Sequence, residues 1–274
     1  MLGKRPDGYH EVSMLMQMVG LYDMVTVALA APGITVTCDT GSIPSGEGNI
    51  AWKAAAAILN YANGDAGLAI DIRKSIPVAA GLGGGSGDAA AVLAAANRLL
   101  GTGFGRQQLS EIGAKIGMDV PFFFHGPLAT ARGRGEILST LAPLPGFWVL
   151  LVNPGFETST AWVYKNVNLG LTKKVDCNKI SRLTVRNIAE GLHNDLAAVT
   201  ASAHPVIHQI EKALLDHGAL GALMSGSGPT VFGLFDTGDA CSVAAHQLSG
   251  EGWRVFPAEA LTISPFETYM DSST

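Results

Sequence analysis

The chain of 274 residues is long enough for one large or two ordinary domains with real cores, and its net charge of −5 with 15% charged residues excludes a broad basic face for nucleic acid. Cys38, Cys177 and Cys241 are widely separated and lack Cys-x-x-Cys or histidine spacing, which speaks against a disulfide framework or a zinc site and for a reducing compartment. The first residues carry no signal-peptide core, and apolar runs such as Phe147 to Val152 are too short to cross a bilayer, so the expectation is a soluble, cytoplasmic protein.

In chain order, Gly3 to Glu11 reads as a polar turn punctuated by Pro6-Asp7-Gly8, presenting Tyr9 and His10 just before an apolar segment. An aromatic ring beside an imidazole is either a turn with a strand-end aromatic or a pair able to stack on a pyrimidine base and hydrogen-bond its edge. Met24 to Leu29 and Ile34 to Asp39 alternate apolar and polar around Pro32-Gly33, the pattern of a β-hairpin. Gly48-Asn49-Ile50 opens an alanine-rich helix through Ala62, closed by Asn63-Gly64, with Asn49 as its N-cap. Leu68 to Ile72 is a short strand delivering Lys74, on its own a solvated charge, to a glycine run.

That run is Pro77-Val-Ala79-Ala80-Gly81-Leu82-Gly83-Gly84-Gly85-Ser86-Gly87-Asp88-Ala-Ala. Four glycines in five positions remove the Cβ atoms that keep a backbone away from a ligand, and they permit positive φ where successive N–H groups converge on an anion. Ala89 to Leu100 has Val92, Leu93, Ala96, Leu99 and Leu100 at helical spacing and Gly101 as a stop, so the helix N-terminus points into the loop and suits a bound phosphate. The run lacks the Gly-Lys-Ser/Thr ending of a P-loop, and Gly81-x-Gly83-x-x-Ser86 lacks the third glycine of a dinucleotide fingerprint.

Gln107 to Ile116 forms the next amphipathic helix and stops at Gly117. Asp119 then precedes Val120 to Phe124; a carboxylate there is costly to bury, and it is either the N-cap of a short helix or a functional group. Leu128 to Arg132 and Phe147 to Val152 are strand-like, with loops at Arg132 to Glu136 and Pro143 to Gly146 between them, which sets a boundary near residue 145 and gives domains 1–145 and 146–274. Beyond it come a helix with Trp162 and Tyr164, a polar connector, a helix from Pro205 to His217, strands near Leu220 and Val231, a helix from Asp239 to Leu248 and a strand from Trp253 to Pro257. Helices on one side of a small antiparallel sheet make an α+β sandwich. Ser225-Gly226-Ser227-Gly228 reads as a turn whose small residues let two loops approach, and His193-Asn194-Asp195-Leu196 is assigned no chemistry.

The form Pro-x-x-x-Gly-Leu-Gly-Gly-Gly-Ser-x-Asp-Ala-Ala resembles the central motif of the galactokinase, homoserine, mevalonate and phosphomevalonate kinase superfamily. With Gly3 to Glu11, Gly117 to Phe123 and Met224 to Pro229 in the same order, the chain is similar from Leu2 to about Pro265 to the 4-diphosphocytidyl-2-C-methylerythritol kinases within it. The resemblance implies an α+β two-domain kinase fold, with an N-terminal ribosomal-protein-S5-like α/β domain, a C-terminal ferredoxin-like α+β sandwich and the active site in the cleft between them. It implies ATP and Mg²⁺ as cofactors and transfer of the γ-phosphoryl group to the 2-hydroxyl of a substrate carrying a cytidine diphosphate group, in the non-mevalonate isoprenoid route. The expected partners are that small molecule alone, with no nucleic acid or membrane, in a monomer or weak dimer.

By the same resemblance, Asp119 is the catalytic base. Pro77, Ala79, Ala80, Gly81, Leu82, Gly83, Gly84, Gly85, Ser86, Gly87 and Asp88, with Asn49 near the adenine and Lys74, bind ATP, and Ser86 lies near Mg²⁺. Tyr9, His10 and Tyr164 hold the cytosine, while Ser225, Gly226, Ser227 and Gly228 form a third loop that shapes the site. Two departures stand out. The family begins with a strand carrying Lys-x-Asn, whose lysine pairs with the catalytic aspartate, whereas here Met1 precedes Leu2-Gly3, so a late-assigned start or shortened chain with an unpaired sheet edge is expected. Gly87 replaces a usual serine and removes one phosphate-binding hydroxyl. Two other readings follow: another small-alcohol kinase of the superfamily, which Tyr9-His10 oppose, and a non-catalytic nucleotide-binding form, which the absent lysine favours and Asp119 opposes.

Overall fold

The computed structural model describes residues 1–62, 65–168 and 184–267; Asn63-Gly64, expected to close the first helix, and Cys177 lie outside them. In chain order come β1 (Gly3–Lys4), β2 (His10–Gln17), β3 (Met24–Ala30), β4 (Ile34–Cys38), α1 (Ile50–Leu59) and β5 (Gly67–Arg73). Next are α2 (Gly84–Leu100), α3 (Arg106–Ala114), α4 (Phe122–His125), β6 (Leu128–Gly133) and β7 (Ile137–Thr140). Then follow β8 (Trp148–Asn153), α5 (Thr160–Asn166), α6 (Val185–Glu190), α7 (Ala197–Ala203) and α8 (Val206–Asp216). The last elements are β9 (Gly221–Met224), β10 (Val231–Phe235), α9 (Gly238–Leu248) and β11 (Arg254–Glu259).

These elements form two compact units that interleave along the chain, where the sequence expectation cuts it once near 145. One comprises Met1–Leu21, Ala79–Leu82 and Ala142–Thr262; the other comprises Tyr22–Val78, Gly83–Leu141 and the described residues from Ile263 onward. The first 21 residues join the former because backbone pairing ties them to it: Gly20 N donates to Glu259 O at 2.8 Å, and Leu261 N to Met18 O at 2.9 Å.

The unit containing α2 is built on alanine. Ala51, Ala54, Ala55 and Ile58 of α1 pack with Ala89, Ala90, Val92, Leu93 and Ala96 of α2, over Leu68, Ile70 and Ile72 of β5. Small side chains allow close helix packing, and the alternating burial of β5 turns its branched residues toward those helices. The expected hairpin is not formed. β5 lies between β3 and β4, antiparallel to β3 (Val27 opposite Ile70) and parallel to β4 (Val36 opposite Ile70). The connection Ala31 to Gly33 crosses the start of β5 so closely that a Cβ on Gly67 would stand 1.8 Å from Ala31 O; only glycine fits beneath it. β6 and β7 pair as an antiparallel hairpin within the same unit, and β7 takes up residues beyond the expected 132–136 loop.

In the other unit, β11, β8, β10 and β9 form an antiparallel sheet in that order, carrying α8 through Ile207, Ile210 and Leu214 and α9 through Cys241, Ala244 and Leu248. This is the expected α+β sandwich. Gly3 to Glu11, read as one turn, is a hairpin in which β1 pairs with β2 (Gly3 opposite Glu11, Lys4 opposite His10). The short helices α6 and α7 have no counterpart in the sequence reading.

Candidate active site

Helix α2 begins at Gly84, five residues before the expected Ala89, so the glycine loop supplies the first helical turn itself. Gly83 is its N-cap at φ 68° and no side chain caps it, which leaves the Gly84 to Ser86 end of the helix, with its dipole, for an anion. Ala79, Gly81 and Gly83 all have positive φ (51°, 75° and 68°), the alternation that turns successive N–H groups toward one side. Asn49 is the N-cap of α1: its Oδ1 accepts from Ala51 N at 2.8 Å and its Nδ2 donates to Pro44 O at 2.8 Å. Both ends of this buried amide are engaged. Ile50, beside it, lies 3.5 Å from where a Cβ on Gly85 would stand.

Asp119 is not a helix cap. The N-cap of α4 is Pro121, and Asp119 contributes only its carbonyl, which accepts from Phe122 N at 3.2 Å. No described residue hydrogen-bonds or pairs with its carboxylate, and burial raises its pKa. The turn that carries it abuts the head of α2: a Cβ on Gly117 would stand 4.0 Å from Ser86 Oγ and 3.3 Å from Val120. Gly87 has a steric reason, since a Cβ there would come within 3.2 Å of the Phe123 ring. A serine at 87 would press on that ring.

Lys74 is not a solvated charge. Its ammonium donates to Asp88 Oδ2 at 2.8 Å and to Asp23 Oδ2, and the three side chains are only 7%, 5% and 3% exposed. Burial holds the Asp88 carboxyl up at about 6, opposed by Lys74 and reinforced by the charge of Asp23. Lys74 itself is raised, since the two carboxylates outweigh the desolvation that would lower it.

The remaining site residues lie in the other unit. Ser225 Oγ donates to Gly81 O at 2.8 Å, and a Cβ on Gly81 would stand 2.2 Å from Ser225 O, so the Ser225 to Gly228 loop and the first part of the glycine run are in direct contact. Thr230 N donates to Ala80 O at 3.3 Å. Ser227 is buried, sharing a 2.9 Å hydrogen bond with Thr160 while its carbonyl accepts from Thr200 Oγ1 at 3.1 Å. His10 lies 5.4 Å from Tyr164, ring centre to ring centre, and Tyr9 is 54% exposed. Burial, with the nearby charge of Lys4, lowers the His10 pKa, which favours the neutral ring with one donor and one acceptor nitrogen. Asp7 Oδ1 accepts from Tyr9 N at 3.1 Å and Arg5 N donates to Tyr9 O at 2.8 Å, fixing the turn that presents the pair.

Two family models match the chain: that described as GHMP kinases N terminal domain matches residues 49–127, and that described as GHMP kinases C terminal matches residues 179–252. The 4-diphosphocytidyl-2-C-methyl-D-erythritol kinase of Pelobacter propionicus is 52% identical over 262 residues, spanning 94% of this chain and 93% of the relative. The chain belongs to the 4-diphosphocytidyl-2-C-methyl-D-erythritol kinase family. A second relative so named, from Geobacter sp. strain M21, is 48% identical over 96% of this chain and 94% of its own. The crystal structure of a 4-(cytidine 5'-diphospho)-2C-methyl-D-erythritol kinase is similar at a TM-score of 0.78 and 32% identity, covering 94% of this chain and 93% of that one.

Within that family framework, two residues escaped the sequence reading. Asn194, given no chemistry, donates from Nδ2 to Met224 O and to Gly226 O, both at 2.8 Å, and so braces the Ser225 to Gly228 loop. Asp23 holds Lys74. Neither contact belongs to a local pattern: each joins residues 30 or more apart along the chain.

Proposed function

We propose that the protein transfers the γ-phosphoryl group of ATP to the 2-hydroxyl of 4-diphosphocytidyl-2-C-methyl-D-erythritol, a step of the non-mevalonate isoprenoid route. The observation that carries the reading is the uncapped glycine head of α2 beside an unpaired, partly buried Asp119, in a chain about half identical to kinases of that name. Asp119 accepts the proton of the attacking hydroxyl, and its raised pKa brings it closer to the operating pH, as suits a general base. The amides of Gly81 to Ser86 hold the ATP phosphates and stabilise charge that develops as the phosphoryl group moves.

Pro77, Ala79, Ala80, Gly87, Asp88, Lys74 and Asn49 complete the nucleotide side, the last beside the adenine. Tyr9 and Tyr164 stack on the cytosine and neutral His10 hydrogen-bonds its edge. The Ser225 to Gly228 loop shapes the phosphate seat through its contact with Gly81. Ser86 Oγ, without a hydrogen-bond partner among the described residues, suits Mg²⁺ as one hard oxygen ligand beside the phosphates; the bound ion would neutralise their charge. A cytoplasmic setting fits the free Cys38 and Cys241 thiols.

The test is an ADP-release assay coupled to oxidation of a reporter, run with the cytidine substrate and with small alcohols lacking cytidine. Asp119→Asn is expected to lower kcat about a thousandfold while ATP binding, measured by titration calorimetry, stays near normal. Turnover of the small alcohols at equal kcat/KM would remove the cytidine substrate from the reading, and undiminished kcat in Asp119→Asn would remove the base.

A further inference from the structure

Lys74, Asp23 and Asp88 bring three buried charges together at the head of α2. The cluster spans three pieces of chain: the residue before β3, the run between β5 and the glycine loop, and the first turns of α2. Asp23 does two things at once. Its Oδ2 accepts from Lys74, and its Oδ1 accepts from Ser75 N at 2.7 Å and Ile76 N at 2.9 Å. Its Oδ2 also lies 3.4 Å from where a Cβ on Gly84 would stand, with Ile76 Cγ2 at 3.0 Å from the same point. The carboxylate therefore sits directly under Gly84, the first residue of the helix whose N-terminus is proposed as the phosphate seat.

A buried ion cluster is weak evidence for stability, because apolar side chains of the same volume would fill the space without desolvating three charges. What the charges add is a single permitted geometry. Two of the three ammonium donors of Lys74 are committed to carboxylates, so its contribution to the nucleotide side runs through position. We propose that Asp23 is a positioning residue for ATP: by clamping Lys74 against Asp88 and holding the Ser75 and Ile76 amides, it sets where the amides of Gly84, Gly85 and Ser86 stand. The inference rests on the reading of the glycine loop as the seat of the ATP phosphates.

Two substitutions of Asp23 separate its two contacts. Asp23→Ala removes both, and leaves Lys74 paired one to one with Asp88, so no buried charge is stranded. Asp23→Asn keeps an acceptor for Ser75 and Ile76 and removes only the ion pair. Asp23→Ala is expected to raise KM for ATP and Kd for a non-hydrolysable ATP analogue about tenfold, leaving KM for the cytidine substrate within about twofold, and Asp23→Asn is expected to recover part of that loss. Gly85→Asp serves as the control for the loop itself: the fold has room for its Cβ, 3.5 Å from Ile50, and the added carboxylate repels phosphate.

If Gly85→Asp weakens analogue binding and Asp23→Ala does not, the positioning role of Asp23 is wrong and the loop assignment survives. If neither weakens it, the loop assignment falls and the positioning role with it. A parallel loss of kcat and of affinity for both substrates in Asp23→Ala, tracking a lowered Tm and not relieved in Asp23→Asn, makes Asp23 a fold stabiliser only.

Discussion

Lys74, Asp23 and Asp88 hold the head of α2 with buried charge, whereas Asn194, Thr160 and Thr200 hold the Ser225 to Gly228 loop with neutral hydrogen bonds to carbonyl and hydroxyl oxygens. On the proposed reading the first arrangement fixes an element that meets the ATP phosphates, and it gains stiffness at the cost of sensitivity to protonation. The second fixes a loop of small residues by satisfying its backbone, and no member of it titrates near neutral pH. Loss of one group should therefore cost more in the charged cluster than in the neutral brace, and only the charged cluster should respond to pH.

The largest expected effect is that of Lys74→Met, which strands two carboxylates in the interior; stability by urea denaturation should fall by about 3 to 5 kcal/mol. A loss no larger than that of a surface lysine would show that the cluster is not closed to water. Next comes the pH response of Asp88. Its pKa in the folded protein, about 6, lies above the ordinary carboxylate range, so the folded state takes up a proton that the unfolded chain does not hold between roughly pH 4 and 6. The stability due to that proton is complete below the unfolded value and is lost as pH rises through about 6. The Tm of the native protein relative to Asp88→Asn should thus decline from pH 4 to 6 and level off above 7, and a constant difference would contradict it. Smaller again, Asn194→Ala removes the donor to Met224 O at the end of β9 and to Gly226 O in the loop, and should cost about 1 to 3 kcal/mol, by the same amount at pH 5 and pH 8. A pH-dependent loss there would erase the contrast between the two units.

The features that sequence patterns expose are those written in neighbouring residues. The glycine run, the alanine-rich faces of α1 and α2 and the Asp119 turn are all of this kind, and so is the cap formed by Asn49. The start of α2 was harder: glycine lowers helix propensity, which hides a first helical turn that packing against Ile76, Ile50 and Phe123 nonetheless imposes. Lys74 looked like a surface charge because its two partners lie 51 and 14 residues away. The hairpin expected of β3 and β4 failed for the same reason, since Pro32-Gly33 is a good turn signal and says nothing of a strand arriving from residue 67. The clue was Gly67, a glycine opening an otherwise branched strand, where a close backbone approach is the usual cause.

That crossing over Gly67 also bears on how the chain reaches its fold. β3 and β4 are joined by three residues and leave the ribosome before β5, so the pairing most accessible to them is with each other, across the very gap that β5 must occupy. The native sheet can close only after Arg73 has been synthesised and the two earlier strands stand apart. A non-local closure of this kind is slow compared with helix formation in the same region. Until β5 arrives, the facing edges of β3 and β4 are open to wrong partners, and the time spent in that state sets the demand for protection from aggregation.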